Sequence, residues 1–386
     1  MQWIEPRQPA RPSAAVLATL ARQASLHSPS SPWSILAEAN AAFSSRNFAR
    51  ATDLFEAAAK AGIPMDVGWA RLARCYLEIG RASDALLACD RGFAAHSAPG
   101  YDLSMQAGLA HTVLGNHSEA RTHFLTAARL GNTNEACWHI LHHAAREKNA
   151  STMFTLCDEL EARFGTSSVF TANRALAFSM VGDQRSAARL VDLNRHVRVG
   201  PIEEFLDADL AEFNEGLARE AVEIASGNGP PEKTIVPHPD LSGSPTIKRL
   251  QAAVRAAIDT YLVEAEERGL FHCLPLPLEK ATLSTGATLL SRGGRNGQHI
   301  HLTSVISAVY HLENPASNAA ETGAGALQIG PADQYAGGHV ACWGERRVMP
   351  RPGQLTIFPA HFFHDVIPTG SDRMRISFPC DVHRVS

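Results

Sequence analysis

The spacing of hydrophobic residues changes along this chain from a helical period to the short runs of β-strands. Residues 246–268 carry the helical period most clearly, because apolar side chains recur there at three- and four-residue steps. From Ala281 onward, runs rich in Thr, Val, Leu and Ile alternate with turns that carry Gly and Pro. Short strands at regular spacing are typical of a jelly-roll barrel, which closes its edges around a cavity. The pattern therefore predicts one amphipathic helix followed by a β-barrel.

The half of the chain before this helix repeats itself. A six-residue phrase that ends in alanine recurs, and its alanines are spaced by 34, 35 and then 67 residues. The phrases end at Ala51, Ala85, Ala120 and Ala187. The last gap leaves room for a degenerate unit around Met153. This pattern resembles the tetratricopeptide repeat, whose period is about 34 residues.

A helical-hairpin repeat explains the residue types at these positions. The small alanine lets two helices approach closely, while Phe55 and Phe124, four residues after their alanines, fill the groove to the next unit. A glycine lies five residues before three of the alanines and can end the first helix, since a left-handed backbone is cheap only for glycine. A lone hairpin cannot bury its apolar face, so stacked units share a core. A generic α-helical bundle is the alternative interpretation.

A domain boundary is predicted where the helical pattern stops. Residues 226–231 read Ser-Gly-Asn-Gly-Pro-Pro, and further prolines keep the next stretch extended. We therefore expect an α+β multidomain protein, with an N-terminal all-α helical-hairpin repeat array followed by a C-terminal jelly-roll domain (a double-stranded β-helix). The expected segments are a helical or flexible N-terminal segment at 1–30, the repeats at 31–226, a linker at 227–245 and the jelly-roll domain at 246–386.

Composition excludes several classes of partner. The chain has 386 residues, of which 45% are hydrophobic and 19% charged, as expected of a soluble globular protein. Its formal charge of −4 and its scattered basic residues give no sign of nucleic-acid binding. No apolar stretch approaches the roughly 20 residues of a membrane span, and the N-terminus lacks the order of a signal peptide. Seven widely spaced cysteines without a C-x-x-C pair fit a reducing compartment, so we expect a cytoplasmic protein.

Three histidines and an arginine–serine pair near the C-terminus are the candidates for chemistry. His299 and His301 alternate along a predicted strand, so their imidazoles project to one face. His364 follows a later predicted strand, and Arg375 and Ser377 share one face of another, where they would suit a carboxylate. Two imidazoles close in sequence, a distant third and an anion clamp suggest iron bound inside the barrel together with an acidic co-substrate.

Residues 279–380 resemble the iron(II)/2-oxoglutarate-dependent oxygenases, in a bacterial branch that has an H-x-H rather than an H-x-D motif. The order and spacing of six segments carry the resemblance. They are His299–His301, Ser304–Tyr310, Gly325–Leu327, Pro350–Gly353, Phe358–His364 and Arg375–Ser377. The resemblance covers about a quarter of the chain and implies Fe(II) and 2-oxoglutarate as cofactors.

The resemblance also implies how 2-oxoglutarate would be held. Arg375 would form a bidentate pair with its far carboxylate, and Ser377 would donate a further hydrogen bond. Arg373, two residues earlier on the same face, is the backup for this role. Tyr310 either reaches 2-oxoglutarate or packs in the barrel.

The metal ligands leave three arrangements open, because His301 stands where an Asp or Glu usually completes two histidines. In the first, His299, His301 and His364 all bind the metal. In the second, an acid from elsewhere, such as Asp333 or Asp365, completes the site. In the third, two protein ligands are supplemented by water.

These observations predict a 2-oxoglutarate-dependent Fe(II) dioxygenase that hydroxylates a substrate and releases succinate and CO2. A peptide or protein substrate engaged by the repeats is the first choice; a small-molecule substrate, with the repeats serving homodimerisation, is the second. A cupin-type metal dioxygenase would share the jelly roll, but the glutamate expected after its H-x-H is absent. A repeat-based binding scaffold with an inactive barrel is a further alternative.

Overall fold

A computed structural model describes residues 1–5, 32–65, 67–96, 100–225, 233–236, 244–270, 278–315 and 323–385. Contacts cluster into two compact units, one from residue 10 to 143 and one that combines residues 1–9 with residues 144–386. The linker predicted at 227–245 and the N-terminal segment predicted at 1–30 lie largely outside the described residues. In the described part of the chain, no helix has both the length and the apolar character of a membrane span.

From residue 32 the chain folds into successive pairs of helices joined by short turns. The helices are α1 (Pro32–Ser44), α2 (Phe48–Lys60), α3 (Gly68–Glu78), α4 (Ala82–Ala95), α5 (Tyr101–Val113), α6 (His117–Leu130), α7 (Thr133–Arg146), α8 (Ala150–Phe164), α9 (Ser168–Met180) and α10 (Gln184–Leu190). The alanines that end the repeated phrases are fully buried in the second helix of their pairs. The structure thus confirms the predicted all-α helical-hairpin array, including a pair around Met153.

The turn inside each hairpin uses the same backbone conformation. Gly80, Gly115 and Gly182 lie there with φ of +77°, +79° and +78°. Arg46 and Lys148 occupy the matching position of two other hairpins, with φ of 58° and 55°. This left-handed region is unfavourable for residues with a Cβ, so these two turns carry local strain that the glycine turns avoid.

The unit that contains residues 144–386 is built on two sheets. The strands are β1 (Gln2–Trp3), β2 (Arg198–Pro201), β3 (Lys233–Val236), β4 (Lys280–Thr285), β5 (Ala287–Leu290), β6 (Ile306–Glu313), β7 (Leu327–Ile329), β8 (Arg346–Val348), β9 (Gln354–Pro359), β10 (His364–Val366) and β11 (Arg375–Arg384). The larger sheet has the strand order β1-β4-β11-β6-β9-β2, with β5 paired to β11 and β3 paired to β5; the smaller has the order β10-β7-β8. This arrangement confirms the predicted C-terminal jelly roll.

The two faces of the larger sheet have different partners. Three further helices precede or cover it: α11 (Leu193–His196), α12 (Leu210–Ala225) and α13 (Pro245–Glu267). One face packs on α13, the helix predicted at 246–268, in a core that includes Val254, Tyr310 and Phe378. The other face packs towards the smaller sheet through a separate cluster that includes Val309 and Leu327. Alternate residues of β6 therefore face opposite sides.

Strand β2 brings a segment of the predicted repeat region into the sheet. It pairs antiparallel with β9, so that Gly200 lies opposite Leu355. The helices from α8 onward belong to the same compact unit as the sheets. The contacts therefore divide the described chain after His143, whereas the proline-rich stretch predicts a boundary at 227–245.

Candidate metal and co-substrate site

The H-x-H segment is held against the first residue of β10 and the turn before it. The backbones of His299 and His364 exchange two hydrogen bonds, each of 3.0 Å from N to O. The amide of His301 donates to the carbonyl of Ala360 at 3.1 Å. This antiparallel register fixes the two segments side by side and sets the positions from which the three imidazoles project.

The three imidazoles that the sequence singles out lie together. The ring centroids are 4.3 Å apart for His299 and His364, 4.9 Å for His301 and His364, and 5.3 Å for His299 and His301. One ligand atom of each lies within 4.8 Å of those of the other two. His364 is buried, whereas His299 and His301 are half-buried. The cluster can accept a metal ion, and it contains no carboxylate among the described residues.

Nδ1 of each ring makes a hydrogen bond to an oxygen atom. Nδ1 of His299 donates to the carbonyl of Gly297 at 2.7 Å, and Nδ1 of His364 donates to the carbonyl of Phe362 at 3.0 Å. Nδ1 of His301 donates to Asp381 at 2.6 Å. These hydrogen bonds fix the ring orientations and leave the Nε2 atoms for a metal. Consistently, Nε2 of His301 lies 3.1 Å from Nε2 of His364.

The charges around these rings shift their pKa values in opposite directions. Burial lowers the pKa of His364 well below its usual value, and the neighbouring His299 and His301 lower it further. Burial also lowers the pKa of His301, but the charge and hydrogen bond of Asp381 outweigh it and raise the pKa overall. The pKa of Asp381 is lowered: burial opposes this, and His301, Ser307 and His383 overcome it. Asp381 was not among the site residues predicted from the sequence.

Arg375 is buried without an acidic partner among the described residues. Its Nε donates to the carbonyl of Gly325 at 2.9 Å, and its Nη1 donates to Oγ of Ser377 at 2.9 Å. Its Nη2 is buried and has no hydrogen-bond partner among the residues that the structure describes. Burial lowers the pKa of Arg375 to about 10, so the guanidinium still carries its charge at neutral pH. A buried cation with an unused donor is costly unless an anion completes it.

One cavity of about 380 Å³ joins the histidines to this guanidinium. Its lining residues are Thr288, Asn296, Gly297, His299, His301, Val309, Leu327, His364, Val366, Arg375, Ser377 and Pro379. The structure thus brings five of the six residues predicted for the site into one cavity. A metal at the imidazoles and an anion at Arg375 would share this space.

Tyr310, the sixth residue, does not line the cavity. Its side chain is fully buried in the core on the α13 side of the sheet, and its hydroxyl donates to Oδ1 of Asn214. The alternation along β6 turns Val309 and His311 to the other face. His311 is buried there, with Nε2 3.0 Å from the hydroxyl of Thr356, and burial and the charge of Arg375 hold its pKa well below the usual value. His311 thus lies on the face opposite Tyr310 and is not among the residues that line the cavity.

The other residues considered from the sequence lie elsewhere. Arg373 is exposed and pairs with Glu313 at 2.7 Å, so it is not a second clamp in this structure. Oδ1 of Asp333 accepts a hydrogen bond from Gln298, and Asp365 is half-buried, with a pKa that burial raises to about 6. Neither acid belongs to the cluster of possible metal ligands.

His361 is packed in the interior and donates to the carbonyl of Leu190 at 2.9 Å.

Comparison with known proteins gives a family match over the sheet-forming region. Residues 286–381 match the model of the family described as "Putative 2OG-Fe(II) oxygenase". The match confirms the predicted resemblance, and with it the class of enzyme and the two cofactors, Fe(II) and 2-oxoglutarate. No curated protein matches the chain.

Solved structures with partial similarity include hydroxylases and a repeat protein. A Pseudomonas putida prolyl-4-hydroxylase is 21% identical, with 52% of this chain and 98% of that chain covered and a TM-score of 0.34. A Trichoplax adhaerens prolyl hydroxylase, in complex with a hypoxia inducible factor oxygen degradation domain peptide fragment, is 17% identical, with 53% and 92% covered and a TM-score of 0.35. The tetratricopeptide repeat protein YrrB, described as having an unusual peptide-binding site, is 15% identical, with 44% and 88% covered and a TM-score of 0.35.

Proposed function

We propose that this chain, which carries an iron(II)- and 2-oxoglutarate-dependent oxygenase domain, hydroxylates a peptide or protein substrate with release of succinate and CO2. The observation that carries the proposal is the shared cavity. Three imidazoles form one part of its wall, and a buried guanidinium with an unused donor forms another. These are the two groups that a metal and a dianionic co-substrate each require.

We assign the metal to His299, His301 and His364. Their Nδ1 atoms are occupied by oxygen acceptors, so each ring has Nε2 left as a ligand atom. Imidazole is a suitable ligand for iron. An acid as the third ligand is not supported, since the cluster contains no carboxylate among the described residues. Three protein ligands on one side leave other positions for 2-oxoglutarate and O2.

We assign the far carboxylate of 2-oxoglutarate to Arg375 and Ser377. Nη2 of Arg375 is free to donate to one carboxylate oxygen. Oγ of Ser377 accepts from Nη1 and keeps its own hydrogen for a second bond to the anion. Charge-assisted hydrogen bonds of this kind are shorter and stronger than neutral ones. The two side chains would therefore hold the co-substrate and set its direction in the cavity.

The remaining lining residues shield the reaction. Bound iron(II), together with 2-oxoglutarate and O2, supplies the oxidising power for hydroxylation. Val309, Leu327 and Val366 line the same cavity and reduce access of water to the co-substrate. The hydrogen bonds to Nδ1 hold the imidazoles in place throughout. The protein itself orients the reactants and excludes side reactions.

The choice of substrate class rests on the helical hairpins. Stacked hairpins form extended surfaces that repeat proteins use for binding. The described residues of the unit 10–143 form such hairpins, and Ala51, Phe55 and Ala85 are buried in one of its apolar cores. A catalytic domain on its own does not need a repeat array for the chemistry, so recognition of a chain-like substrate is the function that best explains it.

The proposal can be tested with the full-length protein. Anaerobic titration should show binding of iron(II) and then of 2-oxoglutarate. After O2 is admitted, succinate release should increase when the macromolecular fraction of a cell extract is added. Stimulation by the small-molecule fraction alone would replace the peptide substrate by a metabolite. Absence of iron and 2-oxoglutarate binding would overturn the assignment of the cavity itself.

A further inference from the structure

A carboxylate lies directly behind one of the three imidazoles. Asp381 in β11 is paired in register with Ser307 in β6. Its Oδ2 accepts a 2.6 Å hydrogen bond from Nδ1 of His301, and its Oδ1 accepts a 2.8 Å hydrogen bond from the hydroxyl of Ser307. About a fifth of its side chain is exposed, at 19%. Both oxygens are therefore held by specific partners in a largely enclosed position.

We propose that Asp381 is a positioning residue that supplies, through His301, the negative charge that the three-histidine site lacks. This inference rests on the proposed metal site. Two histidines and one carboxylate usually hold the iron of such oxygenases. Here the third group is an imidazole, so the site itself has one negative charge fewer. Asp381 places that charge on the far side of the same imidazole.

The effect is specific to His301. The Nδ1 atoms of His299 and His364 donate to the neutral carbonyls of Gly297 and Phe362. Of the ring hydrogen bonds seen among the described residues, the one from His301 reaches a carboxylate. A carboxylate that accepts from a ligating imidazole fixes its tautomer and makes its other nitrogen a stronger donor to the metal. The charge therefore acts at the position that holds Asp or Glu in the H-x-D relatives of this motif.

Ser307 fixes the orientation of the Asp381 carboxylate. Its hydroxyl engages Oδ1, which leaves Oδ2 pointed at His301. Because Asp381 and Ser307 face each other on paired strands, the sheet register itself sets this geometry. The carboxylate needs no movement to reach the imidazole, so the charge is in place before a metal arrives.

The test is to remove the charge while keeping the shape. In Asp381→Asn the amide oxygen can still accept from Nδ1 of His301, and the side chain keeps its volume. We expect the affinity for iron(II), measured by anaerobic titration, to fall about 10- to 100-fold. We also expect the reduction potential of the bound iron to rise, because a negative charge that favours the oxidised ion has been lost. A role in folding alone would not move that potential.

Two further variants make the result decisive. Asp365→Asn removes the same charge from a carboxylate next to His364 in sequence that is outside the ligand cluster, so we expect neither quantity to change. Ser307→Ala should lower the iron(II) affinity and raise the reduction potential as Asp381→Asn does, but by less. It replaces Asp381→Asn in the test if that variant does not fold. If the wild type binds iron and Asp381→Asn matches it in affinity and potential, the role of Asp381 is refuted; where Asp381→Asn does not fold, the same result in Ser307→Ala refutes it. Failure of the wild type to bind iron would instead refute the proposed metal site.

Discussion

At the scale of single residues, Arg375 is where burial and charge conflict most strongly. Its side chain is 1% exposed, and Nη2 has no hydrogen-bond partner within the described part of the chain. An ion in that position is tolerated when a ligand anion shares the cost of desolvation. The unused donor is therefore more informative about function than a satisfied surface pair such as Arg373 with Glu313.

Replacing Arg375 should separate co-substrate binding from metal binding. A charge pair of this kind is worth about 2–5 kcal/mol when truncation leaves the partner unpaired. Arg375→Ala should therefore weaken 2-oxoglutarate binding by about 30- to 4,000-fold, with iron affinity unchanged. Arg375→Lys should restore part of the affinity, because the charge returns without the planar fork. Calorimetric titration of 2-oxoglutarate into the iron-loaded variants would measure the loss of affinity in Arg375→Ala and its partial return in Arg375→Lys.

Arg373→Ala is the matched control for that experiment. Arg373 is exposed and pairs with Glu313 on the surface, so its loss should leave 2-oxoglutarate affinity within about twofold. Loss of binding in Arg373→Ala with normal binding in Arg375→Ala would show that the clamp has been assigned to the wrong strand position.

Each imidazole should be separately necessary for the metal. His299→Ala, His301→Ala and His364→Ala should each bind iron(II) far more weakly than the wild type while keeping their circular dichroism spectra. His339→Ala is the control, since His339 bonds to Ser179 outside the cavity. Normal iron content in His301→Ala would favour the two-histidine site with water.

His361 should make the fold sensitive to acid. Burial lowers its pKa to about 4, against about 6.5 when unfolded. Between these two pKa values the unfolded chain binds a proton at His361 and the folded chain does not. The contribution of His361 to stability is therefore fully present above pH 6.5 and is lost as the pH falls towards 4. Between pH 7.5 and 5.5 the free energy of unfolding should fall by about 1.4 kcal/mol from this group.

The contribution of His361 can be isolated with His361→Gln. Glutamine keeps a donor for the carbonyl of Leu190 but does not titrate. Its free energy of unfolding by urea should lose about 1.4 kcal/mol less than the wild type over the same pH interval. An identical pH dependence in both proteins would show that other buried histidines account for the acid sensitivity.

Residue types and spacing located most of the site but not all of it. His299, His301, Arg375 and Ser377 were accessible because alternation along a strand is a local property. The sequence left two roles open for Tyr310, because which face of β6 points to the cavity depends on where α13 packs. Asp381 is 80 residues from His301, and it is positioned by the pairing of β11 with β6, which places it opposite Ser307. No local pattern predicts that pairing.

At the scale of elements, helix pairs approach closely where side chains are small. A Cβ on Gly108 of α5 would lie 2.6 Å from the Phe124 ring of α6. Gly108→Val should therefore destabilise the fold by about 1–3 kcal/mol, because the ring or the helix must shift. Gly100→Ala is the control, since nothing lies within 4 Å of its added methyl. Thermal unfolding of the two variants would test this, and equal midpoints would contradict close packing of α5 on α6.

Helices were easier to predict than the strand that joins them to the sheet. The hairpins repeat a local pattern, so their number and spacing follow from sequence. Strand β2 has four residues, which lie in a mainly helical region and gain their conformation by pairing with β9. Its partner is more than 150 residues away, and short strands of this kind are set by tertiary contacts.

At the scale of the whole molecule, the boundary of the folded units becomes testable. Ile202, Phe213 and Leu217 are buried in the same core as α13 and the sheet. A fragment that starts at residue 246 would lose these residues and strand β2. We expect such a fragment to be unfolded or aggregated, and a fragment of residues 144–386 to unfold cooperatively. A well-folded 246–386 fragment would support the boundary at 227–245 that the prolines predict.

The all-nitrogen character of the histidine cluster has a consequence for metal selection. Divalent ions bind nitrogen ligands with an affinity that rises from iron(II) to copper(II), and zinc(II) also exceeds iron(II). A site of three imidazoles therefore has no intrinsic preference for iron over its competitors. Which ion occupies it would be decided by the ions available when the chain folds. Protein isolated without control of metals should carry zinc. Its iron content would then depend on the ions supplied during preparation and not on a preference of the site.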